Sequence, residues 1–242
     1  MNLLKMCQKY NVKEFVFASS ATVYGSVDQT SPIKENEQTG LLITNPYGHS
    51  KHMLEQLITD FCASYSDFYA TILRMFDPAG AHPSGLLGED NTTKCPKHLM
   101  PYIALVASGK KSHLNVFGDK FPTRDGTGVR DFVHIMDVVK AHVASLERMH
   151  DLRAKNKTGR AEIFNIGSGK GSTVLEMVKA FEKASNKKIN YQIMDPRPGD
   201  IASIVSDLTA AQKKLKWTPK LSIDNMCRDI WNWQINNSNG YE

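Results

Sequence analysis

Apolar and polar positions along the chain change period several times, and the changes predict an α/β protein. Leu3, Leu4 and Cys7 fall on one helical face at the start. The run from Glu14 to Ser20 predicts a buried strand that ends in two small hydroxyl residues. From Tyr47 onward, Leu54, Leu57, Ile58 and Phe61 recur at helical spacing and predict a helix. Ala70 to Phe76 predicts a second strand. Helices and strands that alternate in this way imply crossover units and a parallel sheet.

Asp77 to Pro96 is rich in Pro and Gly and predicts an irregular loop. A helix is expected near Leu99–Val106 and a strand at Leu114–Phe117, with a Gly/Asp loop from Gly118 to Gly128. Val129–His134 returns to strand character. Val138, Val139, His142, Val143 and Leu146 mark a helix behind it. Ala161–Ile166 predicts another strand, and Thr173-Val-Leu-Glu176 has the spacing of a capping box. Ile189, Tyr191 and Ile193 alternate as in a half-buried strand.

Composition narrows the class. Of 242 residues, 41% are hydrophobic and 23% charged, which fits a folded globular chain and not a disordered one. No apolar run reaches the roughly 20 residues needed to span a bilayer, and the first ten residues are too polar for a secretion signal. Cys7, Cys62, Cys95 and Cys227 are widely separated, which argues against a zinc site or a disulfide framework and for a reducing, cytoplasmic setting. The net charge of +5 comes from lysines scattered among acids, so a nucleic-acid groove is not indicated.

Gly167-Ser-Gly-Lys-Gly-Ser-Thr173 resembles a phosphate-binding loop but fails its spacing, because Lys170 is followed by Gly171. It reads as a strand-to-helix turn. Tyr47-Gly-His-Ser-Lys51 is more informative. Tyr and Lys at i and i+4 share a helix face, and an ammonium beside a phenol favours the phenolate. Such a phenol can exchange a proton with a substrate hydroxyl while hydride moves to a nicotinamide. The pair follows Asn45-Pro46 at a helix start and a strand ending in Ser19-Ser20, whose hydroxyl can share the substrate proton.

Those residues belong to longer segments. They are Phe17-Ala-Ser-Ser-Ala-Thr-Val-Tyr-Gly25, Asn45-Pro-Tyr-Gly-His-Ser-Lys51, Gly80-Ala-His-Pro-Ser-Gly-Leu-Leu-Gly-Glu-Asp90, Leu99-Met-Pro-Tyr102, Asn115-Val-Phe-Gly118 and Asp125-Gly-Thr-Gly-Val-Arg-Asp-Phe-Val-His134. Across essentially the whole chain the sequence resembles the UDP-glucose 4-epimerases, which are extended short-chain dehydrogenase/reductases. The resemblance implies an NAD-dependent isomerase that interconverts UDP-galactose and UDP-glucose through a 4-keto intermediate, and commonly a homodimer. It makes Tyr47 the acid/base and Lys51 its partner on the cofactor side. Ser20 would bind the sugar 4-hydroxyl, and Ser19 would lie on the cofactor side. Arg130 and Arg197 would meet the diphosphate. Asp200 would accept from the uridine ribose, Asn115 and Phe117 would lie along the uracil, and His98, Leu99 and Asp77 would complete the substrate contacts. No metal, nucleic-acid or membrane partner is implied.

The sequence departs from the family pattern where the family has an Asn at the position of Asp77, an Asn at His98 and a Tyr at Ile204. Asp77 places a carboxylate where the diphosphate is expected, and Ile204 would enlarge the space beside the sugar. The Gly-rich turn and the acidic residue that grip the dinucleotide in this fold do not occur in the sequence. The expected architecture is therefore α/β. An N-terminally truncated Rossmann parallel sheet (residues 1–76 and 129–170) would join a smaller α/β substrate-binding part (77–128 and 171–242). Two alternatives to an active epimerase stay open: an inactive fragment or pseudoenzyme, and a partner of a longer epimerase.

Overall fold

The computed structural model describes residues 1–26, 32–90 and 98–241. The elements in order are α1 (Asn2–Lys9), β1 (Glu14–Ser20), α2 (Pro46–Ser64), β2 (Tyr69–Met75), β3 (Asp77–Ala79), α3 (Leu99–Ala107), β4 (Leu114–Phe117), β5 (Val129–Arg130), β6 (Phe132–His134), α4 (Ile135–Ala154), β7 (Ala161–Ile166), β8 (Ser172–Thr173), α5 (Val174–Ser185), β9 (Tyr191–Met194), β10 (Ser203–Ile204) and α6 (Ile223–Asn236). They form two compact units, Met1–Phe76 with Val138–Gly169 and Ser206–Thr218, and Asp77–Asp137 with Lys170–Val205 and Pro219–Glu242. Compared with the expected division, residues 129–137 lie in the second unit, because β5 and β6 pair with β10, β8 and β3 there. Residues 206–218 lie in the first, where Ser206 bridges to Ile33.

The first unit is built on the parallel sheet β1-β2-β7. β2 is central and buried along nearly its whole length, as a parallel strand covered on both faces should be. Leu4, Cys7, Ile58 and Cys62 from α1 and α2 cover one face, with Phe15 and Phe17 packed against them. Met149 and Leu152 of α4 cover the other, against Val16 and Tyr69. Three helical faces differ from expectation. Leu3 is exposed, and α2 buries Gly48, Glu55, Ile58 and Cys62 while Leu57 faces solvent. On α4, Val138 is buried, whereas Val139, Val143 and Leu146 are exposed.

In the second unit, α3, α5 and α6 enclose a core containing Ile103, Phe132, Met177, Phe181, Met226 and Trp233. Its sheets are β10-β5-β8, β3-β6 and β4-β9. The expected loop after β2 contains β3, held by pairing with β6; its last part, residues 91–96, lies outside the described residues. The strand expected at Val129–His134 is split at Asp131, whose carbonyl accepts from Asp77 N at 3.1 Å. The expected Ile189–Ile193 alternation fails: Ile189 is buried, but β9 is exposed at every position, being paired only through β4. The capping box of α5 is complete, with Thr173 Oγ1 accepting from Glu176 N and the Glu176 carboxylate from Thr173 N.

Candidate active site

In the first unit the site residues cluster where β1 ends and α2 begins. Ser20 has extended backbone and caps the short helix Ala21–Tyr24, its Oγ accepting from Thr22 N at 3.2 Å and Thr22 Oγ1 at 3.0 Å. Asn45 caps α2, its side chain accepting from Gly48 N at 2.8 Å, and Pro46 supplies a first turn without a wasted donor. Tyr47 therefore sits in the first turn of α2, 54% exposed. One turn on, Lys51 Nζ lies 5.4 Å from the Tyr47 ring centroid and 5.0 Å from that of Phe17, and it donates to Ala18 O at 2.7 Å. Partial burial lowers the Lys51 pKa from its ordinary value. The ammonium is thus fixed by β1 beside the phenol, the arrangement the Tyr-x-x-x-Lys spacing predicts.

Gly48 holds these two elements together. A Cβ there would lie 2.7 Å from Ile43 Cγ2 and 3.1 Å from Thr22 O. Thr22 follows Ser20 by two residues and Gly48 follows Tyr47 by one, so this close approach sets their spacing. Gly48→Ala is expected to force the first turn of α2 off the Ser20 segment and destabilise the fold by about 1–3 kcal/mol. Urea unfolding would measure it, and a loss below about 0.5 kcal/mol would show that the approach is slack.

Beneath lies a polar network that the sequence reading missed. Ser19, Arg74 and Asn165 are aligned across β1, β2 and β7. Ser19 is fully buried and donates to Glu55 Oε1 at 2.5 Å. Arg74 Nη2 donates to Glu55 Oε2 at 2.8 Å, and Nη1 to Tyr24 Oη and Glu35 O, each at 3.0 Å. Tyr24 Oη donates to Asn165 Oδ1 at 2.6 Å. Burial opposes the Arg74 charge, but Glu55 more than offsets this and holds the guanidinium above its ordinary pKa. Burial pushes the Tyr24 phenol up to about 12. The available signal was Glu55 itself, a charge four residues beyond Lys51 and three before Ile58 on the face that packs against β1 and β2.

The second unit gathers the other expected residues. The Asp125–Arg130 loop is tied by Asp125, whose Oδ1 accepts from Thr127 N at 2.9 Å and Oδ2 from Thr173 Oγ1 at 2.5 Å. Gly126 has φ +82°, and a Cβ there would strike Asp119 O at 2.0 Å. This loop delivers Arg130 to β5, between β8 and β10. Arg130 Nη1 donates to Val129 O and Ile201 O, both at 2.9 Å. Its charge is influenced by Asp77, Asp200 and Arg197, and burial holds its pKa below the ordinary value. Arg197 stacks 4.9 Å from the Phe117 ring centroid and pairs with Asp200 through Nε and Nη2, each at 3.0 Å. Asn115 and Phe117 are half-buried on β4. His98 is exposed at the start of α3, 3.4 Å from Glu89, with Leu99 next to it. Burial of the Asp77 carboxyl pushes its pKa up to about 6, with Arg130 and His98 opposing that rise and Asp131 adding to it. Arg130, Arg197, Asp200, Phe117, Asp77 and His98 thus belong to one unit and form a mixed-charge, partly aromatic surface.

The parallel sheet carries a strand ending in Ser19-Ser20, followed by a helix that opens on Tyr-x-x-x-Lys. The chain belongs to the NAD dependent epimerase/dehydratase family, whose model matches residues 1–167. It is similar to UDP-glucose 4-epimerase of Bacillus subtilis, 49% identical over 99% of this chain and 68% of that protein. It is 45% identical to the human UDP-glucose 4-epimerase over all of this chain and 67% of that one. UDP-glucose 4-epimerase from Bifidobacterium longum, solved in complex with NAD+ and UDP, superposes with a TM-score of 0.89 at 45% identity, covering 99% of this chain and 68% of that one. The chain thus spans about two thirds of the length of the relatives it matches.

Proposed function

We propose that the chain carries the epimerisation site of a UDP-glucose 4-epimerase, interconverting UDP-galactose and UDP-glucose. The observation that carries this reading is the Ser20–Tyr47–Lys51 cluster, with the ammonium fixed beside a solvent-facing phenol. It is supported by the 45–49% identity to proteins of that activity over essentially the whole chain.

Tyr47 takes the proton of the sugar 4-hydroxyl and later returns it. Lys51 favours the phenolate by its charge and presents N–H donors to the cofactor's ribose. Ser20 hydrogen-bonds the same 4-hydroxyl, its own orientation held by Thr22. When bound, NAD would supply the hydride chemistry for the sugar C4, with Lys51 and Tyr47 at its nicotinamide-ribose end. The donors on Lys51 and the half-exposed Tyr47 ring fit the nicotinamide-ribose end of that cofactor.

Arg130 and Arg197 hold the diphosphate, which requires Arg197 to exchange part of its pairing with Asp200 for phosphate oxygens. Asp200 is then free to accept from the uridine ribose, and Asn115 and Phe117 flank the uracil, with His98 and Leu99 alongside. Homodimerisation and a cytoplasmic setting complete the reading. Among the described residues no helix is long and apolar enough to cross a membrane, and Cys7, Cys62 and Cys227 are free and buried.

The test is conversion of UDP-galactose to UDP-glucose by the purified chain with NAD, beside the chain fused to the N-terminal segment of a relative. Turnover by either supports the reading. Two folded, inactive proteins would transfer support to the pseudoenzyme alternative.

A further inference from the structure

His134 is fully buried at the end of β6, and both of its ring nitrogens are in use. Nδ1 accepts from the backbone N–H of Met136, in the first turn of α4, at 3.1 Å. That N–H is one of the donors a helix start leaves without a partner, so His134 does there what a Ser or Asn cap usually does. Nε2 lies 3.1 Å from Asp229 Oδ2 on α6. With Nδ1 an acceptor, the proton sits on Nε2, which donates to Asp229; the ring is the neutral Nε2–H tautomer. It cannot swing clear. Gly80, just after β3, is packed so closely that a Cβ there would come within 2.9–3.1 Å of Nε2, Cε1 and Cδ2.

This one ring joins several parts of the second unit. β6 pairs with β3. The first turn of α4 carries Asp137, whose Oδ2 accepts from Lys220 N and Leu221 N, both at 2.8 Å, just ahead of α6. α6 and its cap in turn grip the loop after β3. Asn232 Nδ2 donates to Pro83 O at 3.1 Å, Trp233 Nε1 to Glu89 O at 3.0 Å and Asn237 Nδ2 to Gly85 O at 2.7 Å.

We propose that His134 is an acid-sensitive joint of the second unit. Neutral, it ties β6, the first turn of α4 and α6 together; protonated at Nδ1, it releases the first turn of α4 and the segment that leads into α6.

Opposing effects decide what an arriving proton does. The charged groups facing the ring are Asp229 and Arg228 on α6 and Asp137 on α4. The two carboxylates favour an imidazolium. Arg228 disfavours it and already occupies Asp229 Oδ1 through Nε at 2.8 Å. Burial is the largest influence and holds the His134 pKa below its ordinary value. Geometry acts in the same direction, because a protonated Nδ1 would point its N–H at the N–H of Met136, at the positive end of α4. The unfolded chain therefore takes up this proton more readily than the folded one. The stability His134 contributes is whole above its unfolded pKa of about 6.5 and is lost as pH falls from there toward the lower folded value.

The experiment uses no ligand and is independent of the UDP-sugar reading. Nitrogen-15 and carbon-13 ring shifts of His134 are followed in the unaltered chain as the pH is lowered. The expected midpoint lies below about 6.5, with the Nε2–H tautomer above it. A midpoint at or above that value, or the Nδ1–H tautomer, overturns the proposal. Hydrogen exchange of residues 135–137 and 220–230, corrected for the intrinsic rate at each pH, then reads the opening of the joint. His134 is expected to raise the opening constant between pH 7.5 and 5.5 several-fold, with a ceiling of about tenfold for one group whose unfolded pKa is near 6.5. His134→Asn keeps an acceptor for Met136 N–H but does not titrate. Other groups that titrate in this range, Asp77 among them, are common to both chains, so the difference between the chains belongs to His134. A difference under twofold overturns the proposal. If His134→Asn does not fold, the ring titration of the unaltered chain decides alone.

Discussion

Tyr47→Phe is expected to lower kcat for UDP-galactose by about 10²–10⁴-fold, the range a positioned proton-transfer group contributes, while KM changes by only a few-fold. The change deletes one hydroxyl and leaves the ring, so the packing against Lys51 Nζ is retained. Tyr47 is more than half exposed, and α2 keeps its Asn45 cap and Pro46 start, so folding is not at stake. The Ser20 hydroxyl is held by Thr22, and the Lys51 ammonium is tied to Ala18 O. Lys51→Met is expected to lower kcat less and to move the acid limb of the pH–rate profile upward, since the phenol loses the charge that favours its ionised form. If Tyr47→Phe kept more than a tenth of the activity, another group would be moving the proton.

The sequence predicted this pair because its signal is local. The i, i+4 spacing, the Asn-Pro start and the serine-terminated strand all lie within one crossover unit. Elements whose boundaries depend on local pattern agree closely with the structure: β1, β4 and β7 have the expected limits, and the α5 capping box is complete. Errors arise where a partner distant in the chain decides the outcome. Nothing in Asp77-Pro-Ala79 signals a strand; pairing with β6 makes it one. Tyr191 and Ile193 alternate in the sequence, but β9, which among the described residues pairs with β4, is exposed at every position. On α2, apolarity pointed to Leu57, whereas the buried face carries Glu55, because Arg74 reaches it from β2. α6 was legible and overlooked: Ser222 and Asn225 form a capping box, and Met226, Cys227, Ile230 and Trp233 follow at helical spacing, all buried.

The Glu55–Arg74 pair makes the other large expected effect, this time on stability. Both side chains are almost fully buried, and the pair joins α2 to the centre of the sheet beneath Ser20, Tyr47 and Lys51. Arg74→Ala would leave the Glu55 carboxylate buried with only Ser19 as a donor and deprive Tyr24 Oη and Glu35 O of theirs. Stranding a buried charge in this way costs about 3–5 kcal/mol. Replacing both residues with methionine removes the charge along with its partner and fills the volume, so the double variant should be more stable than Arg74→Ala despite carrying two changes. It should still fall short of the original chain, because Ser19, Tyr24 and Glu35 lose hydrogen bonds to charged groups, worth about 1.5–3 kcal/mol each. A cycle of Arg74→Met, Glu55→Met and the double variant, followed by urea unfolding, isolates the coupling. A single-variant cost below about 1 kcal/mol, or costs that simply add, would mean that water reaches the pair and that the network does not fix the end of β1 to α2. A coupling of several kcal/mol would mean that Tyr47 stands on a charge buried two helical turns below it.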